Sequence, residues 1–297
     1  MKPAKYFGWI NSLVLALFIV ALALATTATT QAADETKEYW VLLSDIHIPG
    51  QYDKVQNGYK PNEHFAQIRD EILIGDAKPK GIIITGDVAF LQGEEDDYQT
   101  LSKQLEPFTL ADISVYMLLG NHDSYENLSV NAEKYAIKDT PVKGKQVVLV
   151  ETPNANWFFL DSHIDTTKVA GLLGEEQLKW LSDELEKHPD KPAILAAHHN
   201  LDPGDGTLQD ANQLWEIVKS HKQVKAYIYG HTHGYRASVR DDVHLINLPA
   251  LAWRFDEVQP LGWTEAILKP KGLELKLHTL DKNHPKNDDV RTFEWLR

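Results

Sequence analysis

A small set of polar residues in this chain recurs at one kind of place. Asp45 and His47 follow the apolar run "YWVLLS", and Asp87 follows Gly86 at the end of "GIIIT". Asn121, His122 and Asp123 close "VYMLLGNHD", His198 and His199 close "AILAAHH", and His231 and His233 close "AYIYGHTH". Carboxylate and amide oxygens with imidazole nitrogens suit zinc, iron(II) or manganese. The chain has no cysteine, which excludes thiolate ligands and disulfides alike. Side chains at i and i+2 of a continuing strand point the same way, so Asp45 and His47 can grip one ion. Gly86 lets the backbone turn and the Asp87 carboxylate project. The seven candidate ligands, Asp45, His47, Asp87, Asn121, His198, His231 and His233, are too many for one such ion. A carboxylate can bridge two, and two ions about 3.5–4 Å apart stabilise both the attacking and the leaving oxygen of phosphoryl transfer. Asp87, the one ligand its motif supplies, is the natural bridge. A lone Gly-Asp is usually a turn and a lone histidine usually solvated; the ordered set, each member after a β-type run, carries the signal.

The runs that end in these residues are nearly continuous apolar stretches, as expected of strands buried on both faces. Helical periodicity lies between them. Phe65, Ile68 and Ile72 share a face after a candidate cap at Asn62, and Tyr98, Leu101 and Leu105 share another. Leu178, Leu181 and Leu185 form a third, and Leu214, Ile217 and Val218 a fourth. Glu94 to Asp97 reads as a solvated helix start. Alternating strands and helices imply an α/β sheet covered on both faces. In such sheets ligands bind beyond the carboxyl ends of strands, where this chain places its Asp, Asn and His. Strand-like runs recur at Trp157–Leu160 and His244–Leu248. The alternation of Leu273, Leu275 and Leu277 with polar neighbours marks a half-exposed antiparallel strand. A second sheet packed on the first is expected. There is no internal repeat or low-complexity tract after Asp34.

The series "DIH", "GD", "GNHD", "HH" and "GHTH" resembles the calcineurin-like metallophosphoesterase superfamily, from about Val41 to Leu248. The stretch "GDVAFLQGEEDDY" followed by "GNHD" is similar to its cyclic-nucleotide phosphodiesterase and glycerophosphodiesterase branch. The resemblance implies a four-layer α/β/β/α sandwich of two mixed sheets, with a dinuclear site at the strand ends. By the same resemblance, Asp45, His47 and His233 hold one ion, Asn121, His198 and His231 the other, and Asp87 bridges. It implies a hydroxide nucleophile shared by the ions. His122 is then free to donate a proton to the leaving group, with Asp123 setting its tautomer. Two departures stand out. Asn200 occupies a position where many relatives have proline, which bears on the shape of that loop. Phe90 stands where purple acid phosphatases place a tyrosine ligand, which argues against a tyrosinate–iron(III) site. The paired His199 is a second candidate at the His198 position.

The chain has 297 residues and a formal charge of −13, with 43% hydrophobic and 25% charged residues. Such a surface repels a polyanion, which favours a small phosphate-ester substrate over a nucleic-acid polymer. Lys2 and Lys5 precede an unbroken apolar run from Leu13 to Ala25, and small residues follow. This pattern predicts a signal peptide over residues 1–32 and a metallophosphoesterase catalytic domain over 33–297. The apolar run is short for a membrane span of about twenty residues, so a cleaved, exported protein is expected rather than an anchored one. Trp253, Arg254, Phe255 and Trp263 follow the last ligands: the arginine is suited to a phosphate and the aromatics to a base, a lipid or the core. A non-catalytic metal scaffold and a nuclease of the same fold are the alternatives. The His122–Asp123 pair favours an enzyme, since a scaffold needs no proton donor.

Overall fold

The computed structural model describes Met1 and residues 38–297. The expected export signal over residues 1–32 lies outside the described residues. Among them, two six-stranded mixed sheets form. The first contains β1 (Trp40–Leu43), β2 (Ile82–Ile84) and β3 (Val115–Met117), all parallel. The second contains β4 (Val148–Glu151), β5 (Asn156–Phe159), β6 (Ala193–Ala196), β7 (Val224–Tyr229), β8 (Arg236–Arg240) and β9 (Val243–Asn247), in the order β4-β5-β6-β7-β9-β8. The chain then returns to the first sheet with β10 (Gly262–Lys269), β11 (Gly272–Thr279) and β12 (Val290–Glu294). There β10 pairs antiparallel with β1.

Period-2 alternation sorts each strand's side chains between two apolar layers. Trp40, Leu42 and Ile83 point inward and meet Trp157, Phe159, Ile194 and Ile228 from the other sheet. Val41, Leu43, Ile82 and Ile84 point outward. They are covered by α1 (Pro61–Leu73) and α2 (Glu95–Leu110) through Phe65, Ile68, Leu101 and Leu105. The outer face of the second sheet, with Phe158, Leu195 and Tyr227, is covered by α4 (Glu175–Lys187) and α5 (Ala211–Ser220). A short α3 (Tyr125–Asn131) starts at Ser124, whose hydroxyl accepts the Asn127 amide. The four expected helical faces and the α/β/β/α layering are therefore present. No helix among the described residues is long and apolar enough to cross a membrane.

Two local expectations are corrected. Asn62 does not cap α1; Pro61 takes the first turn, where its fixed φ and missing N–H suit it, and Lys60 is the N-cap. Asn62 is buried, and its amide instead donates to the Pro49 carbonyl at 3.0 Å, tying α1 to the loop after His47. The stretch from Glu94 to Asp97 does open α2, but Asp97 is buried: it accepts the Gly50 amide at 2.7 Å and the Glu94 amide at 3.0 Å.

Candidate metal centre

The three parallel strands of the first sheet and the β6–β7 pair of the second all end at one cleft between the sheets. β1 stops at Leu43, so Asp45 and His47 do not lie on a continuing strand as expected. Their loop runs on beside that of Asp87: the Asp45 N–H donates to the Gly86 carbonyl at 3.1 Å and the His47 N–H to the Asp87 carbonyl at 2.9 Å. Five candidate ligands sit in left-handed backbone conformations, with φ of 50° at Asp45, 41° at His47, 50° at Asp87, 66° at His231 and 52° at His233. Such conformations cost a non-glycine residue about 1–3 kcal/mol and cluster at functional sites. They turn each side chain off its strand and into the cleft. Glycine is required where these loops touch. A Cβ on Gly120 would lie 2.2 Å from Asp87 Oδ1, and one on Gly230 would lie 1.8 Å from Ser44 Oγ.

The side chains form two donor sets. In one, His47 Nε2 lies 3.4 Å from His233 Nε2, which lies 3.5 Å from Asp45 Oδ1. In the other, His198 Nε2 lies 3.2 Å from His231 Nδ1. Asp87 stands between: its Oδ2 is 3.6 Å from His47 Nε2 and 3.3 Å from His198 Nε2, while its Oδ1 accepts the His122 amide at 2.9 Å. Asn121 lines the same cleft, and its buried Oδ1 has no hydrogen-bond partner.

The remaining imidazole nitrogens show which atoms face the cleft as acceptors. A carbonyl only accepts, so the ring nitrogen beside it carries the proton. His198 Nδ1–H donates to Thr85 (2.9 Å), His231 Nε2–H to Gly206 (2.7 Å) and His233 Nδ1–H to Trp253 (2.7 Å). Metal-ligating histidines are held in this way. Burial lowers His47 to about 3 and His231 to about 4, keeping both neutral with lone pairs available. Burial also opposes charge on His198 and Asp87. Their mutual attraction outweighs it, lifting His198 to about 9 and holding Asp87 well below the usual carboxylate range. Facing lone pairs on His47, His231 and His233, a His198 Nε2 that can exchange its proton for a cation, an orphaned buried amide oxygen and a buried carboxylate at their junction fit a pair of cations.

His199 is brought close but is not needed as a ligand. Ser162 Oγ meets its Nδ1 at 2.7 Å and the Val169 carbonyl meets its Nε2 at 3.0 Å, so both nitrogens are satisfied. Burial, and then His198, hold it well below its ordinary value. Asn200 is buried and its carbonyl accepts the Leu208 amide at 3.1 Å.

His122 lines the cleft with Asp87, Asn121, His231 and His233. Its Nδ1–H donates to the Leu91 carbonyl at 2.6 Å, leaving Nε2 as the atom to face a substrate. The expected role of Asp123 is thus corrected: Leu91, not Asp123, fixes the His122 tautomer. The buried Asp123 carboxylate accepts the amides of Val88 (3.0 Å), Ala89 (2.9 Å) and Gly120 (2.8 Å), clamping the Asp87 and Asn121 loops together. Asp123→Ala leaves these amides without an acceptor, at about 1–3 kcal/mol for a buried group. We expect a loss of about 3 kcal/mol or more in urea unfolding; wild-type stability would contradict the clamp.

Two loops without a sequence signal also support the site. The Thr167 amide donates to the Asn121 carbonyl at 2.6 Å and Thr166 Oγ1 to the Asp123 carbonyl at 2.8 Å. The loop carrying Gly206 orients His231. Of the four candidate substrate readers, Trp253 and Phe255 line the cleft, and the exposed one is Phe255. It is 73% exposed, and its ring lies 4.4 Å from that of His233. Trp253 is almost fully buried, packed flat against the His47 ring. Arg254 turns away to Tyr59 and the Gln259 carbonyl, and Trp263 stacks on His278 at 4.1 Å in the core.

A two-sheet sandwich with a double set of oxygen and imidazole donors at the strand ends defines a dinuclear metallohydrolase type of centre. The chain belongs to the calcineurin-like phosphoesterase family, whose profile matches residues 41–235. It is 30% identical over 108 residues to a 3′,5′-cyclic-nucleotide phosphodiesterase of Nostoc, covering 34% of this chain and 40% of that protein. It is 29% identical over 136 residues to the 3′,5′-cyclic adenosine monophosphate phosphodiesterase CpdA of Vibrio vulnificus, covering 40% of this chain and 49% of that one. The matched region thus spans less than half the length of these curated relatives. A dimetal phosphatase from Danio rerio shares the fold at a TM-score of 0.69 and 13% identity, covering 88% of this chain and 100% of that one.

Proposed function

We propose that this protein is a metal-dependent phosphohydrolase acting on small phosphate esters, and on diesters such as cyclic nucleotides in particular. The observation that carries the reading is Asp87 Oδ2, which lies within reach of both donor sets. Asp45, His47 and His233 would hold one divalent ion of manganese, iron or zinc, Asn121, His198 and His231 the other, with Asp87 shared. Bound there, the ions supply Lewis acidity and a water made acidic enough to act as a nucleophile at neutral pH. The chain's own residues do the rest. As the imidazolium, with its Nδ1–H held by the Leu91 carbonyl, His122 gives its Nε2 proton to the departing oxygen and is left neutral. The Leu91, Val169 and Phe255 side chains form an apolar wall of a cleft of about 380 Å³.

Among the described residues lining that cleft, none is Lys or Arg. A phosphomonoester carries about 1.5–2 negative charges, a diester one, so this wall favours the diester. A nucleic-acid polymer needs a cationic track that the cleft does not offer. The exposed Phe255 ring suits stacking by a base, and the relatives' names point to cyclic nucleotides. Phe255→Ala should raise KM for a cyclic nucleotide roughly 5–150-fold, from about 1–3 kcal/mol of stacking, with kcat little changed. An unchanged KM would remove Phe255 from recognition.

The reading is tested by turnover of the metal-loaded protein on cyclic nucleotides, glycerophosphodiesters, lipid-like diesters and phosphomonoesters. Hydrolysis of none, with both ions bound, would favour the non-catalytic scaffold. Export is part of the proposal, supported by the basic start and the apolar Leu13–Ala25 run. N-terminal sequencing of the mature protein should find a start near Ala33; a retained Met1 on a cytoplasmic protein would contradict it.

A further inference from the structure

Resting on the reading of a dinuclear centre, we propose that Trp253 is a positioning residue for the Asp45–His47–His233 set. Three of the four candidate imidazole ligands are oriented by a backbone carbonyl. His47 is not: its buried Nδ1 has no hydrogen-bond partner. Its ring instead lies flat on the Trp253 indole, centroids 4.1 Å apart at 24°. The same residue's carbonyl accepts His233 Nδ1–H at 2.7 Å. One residue thus holds two ligands of one ion, one through its π face and one through its backbone.

Trp253 is itself fixed. Its segment runs beside the first ligand loop, the Leu251 amide donating to the Ser44 carbonyl at 3.1 Å and the Ala252 amide to the Asp45 carbonyl at 3.0 Å. Phe90 packs edge-on against the indole at 6.1 Å. Trp253 lines the cleft but is 3% exposed, so it offers a substrate little surface. An electron-rich indole face favours an imidazole that gains positive character on ligating a cation, and a neighbouring aromatic is what sets the ring plane. The other set does not touch Trp253. Its histidines rest on Thr85 and Gly206. Removing the indole therefore acts on one ion and spares the other.

The test is calorimetric titration of metal-free protein with Mn(II), comparing wild type, Trp253→Leu and Trp253→Phe, with thermal melting of each. Leucine fills space without a π face; phenylalanine restores one. Wild type should bind two equivalents. Trp253→Leu should keep one at wild-type affinity and bind the other about 10–100-fold more weakly, and Trp253→Phe should recover most of that loss. Two equivalents at unchanged affinity in Trp253→Leu would overturn the inference while leaving the dinuclear reading intact. No binding by wild type would overturn both. The wild-type His47 ring protons, assigned against His47→Gln, give a reading independent of how well a variant folds. They should be shifted upfield by the indole, and unshifted resonances would contradict the stack.

Discussion

Asp87→Asn should cost both metal equivalents much of their affinity and nearly all turnover. The substitution is nearly isosteric, and the new amide oxygen can still accept the His122 amide, so the Asn121–His122 turn stays in place. What it removes is the charge at the junction. Asp87 Oδ2 faces His198 at 3.3 Å and His47 at 3.6 Å, one from each donor set. Deleting one partner of a buried, charge-compensated group costs roughly 3–5 kcal/mol. That cost falls on the stability of the metal-free protein; the loss of the shared charge from the reacting centre should lower kcat about 10²–10³-fold. Metal content measured beside turnover separates this from a local change: substitution of a ligand to one ion alone would leave the other equivalent bound. A variant that keeps two equivalents and wild-type turnover would refute the shared role of Asp87.

His122→Ala should leave metal content unchanged and slow the enzyme selectively. His122 lies outside both donor sets, and its Nδ1–H is committed to Leu91. The loss of a general acid costs about 10²–10⁴-fold where the departing alkoxide needs a proton. A nitrophenolate leaves without one. Alkyl and nucleoside esters should therefore lose about 10²–10⁴-fold in kcat, and nitrophenyl diesters less than about tenfold. Equal losses for both leaving groups would assign His122 to binding or positioning.

The sequence made the centre's residue types legible because strand ends have a signature: an apolar run, a small residue (Ser44, Gly86, Gly120, Ala197 or Gly230), then a ligand. Asp45, His47, Asp87, Asn121, His198, His231 and His233 all come to one cleft. The helical faces were legible for the same periodic reason, since Phe65, Ile68 and Ile72 had to meet a sheet. What surrounds the ligands was not legible. The carbonyls that orient His198, His231 and His233 belong to Thr85, Gly206 and Trp253, and any residue type supplies a carbonyl. The resemblance implied that Asp123 sets the His122 tautomer, whereas the Asp123 carboxylate accepts the Val88, Ala89 and Gly120 amides and the Leu91 carbonyl accepts the His122 Nδ1–H. Asn62 was misread as a cap because its type suits one, but Pro61 suits the first turn better. The left-handed conformations at five ligands break the strand rule by which Asp45 and His47 were first paired.

The most direct test of the central claim is stepwise metal titration of metal-free protein, with hydrolysis of a nitrophenyl diester followed at each addition. The account predicts binding of two equivalents, with turnover appearing as the second site fills. Turnover that is complete at one equivalent, or that proceeds without any metal, would contradict a centre in which Asp87 is shared between two ions.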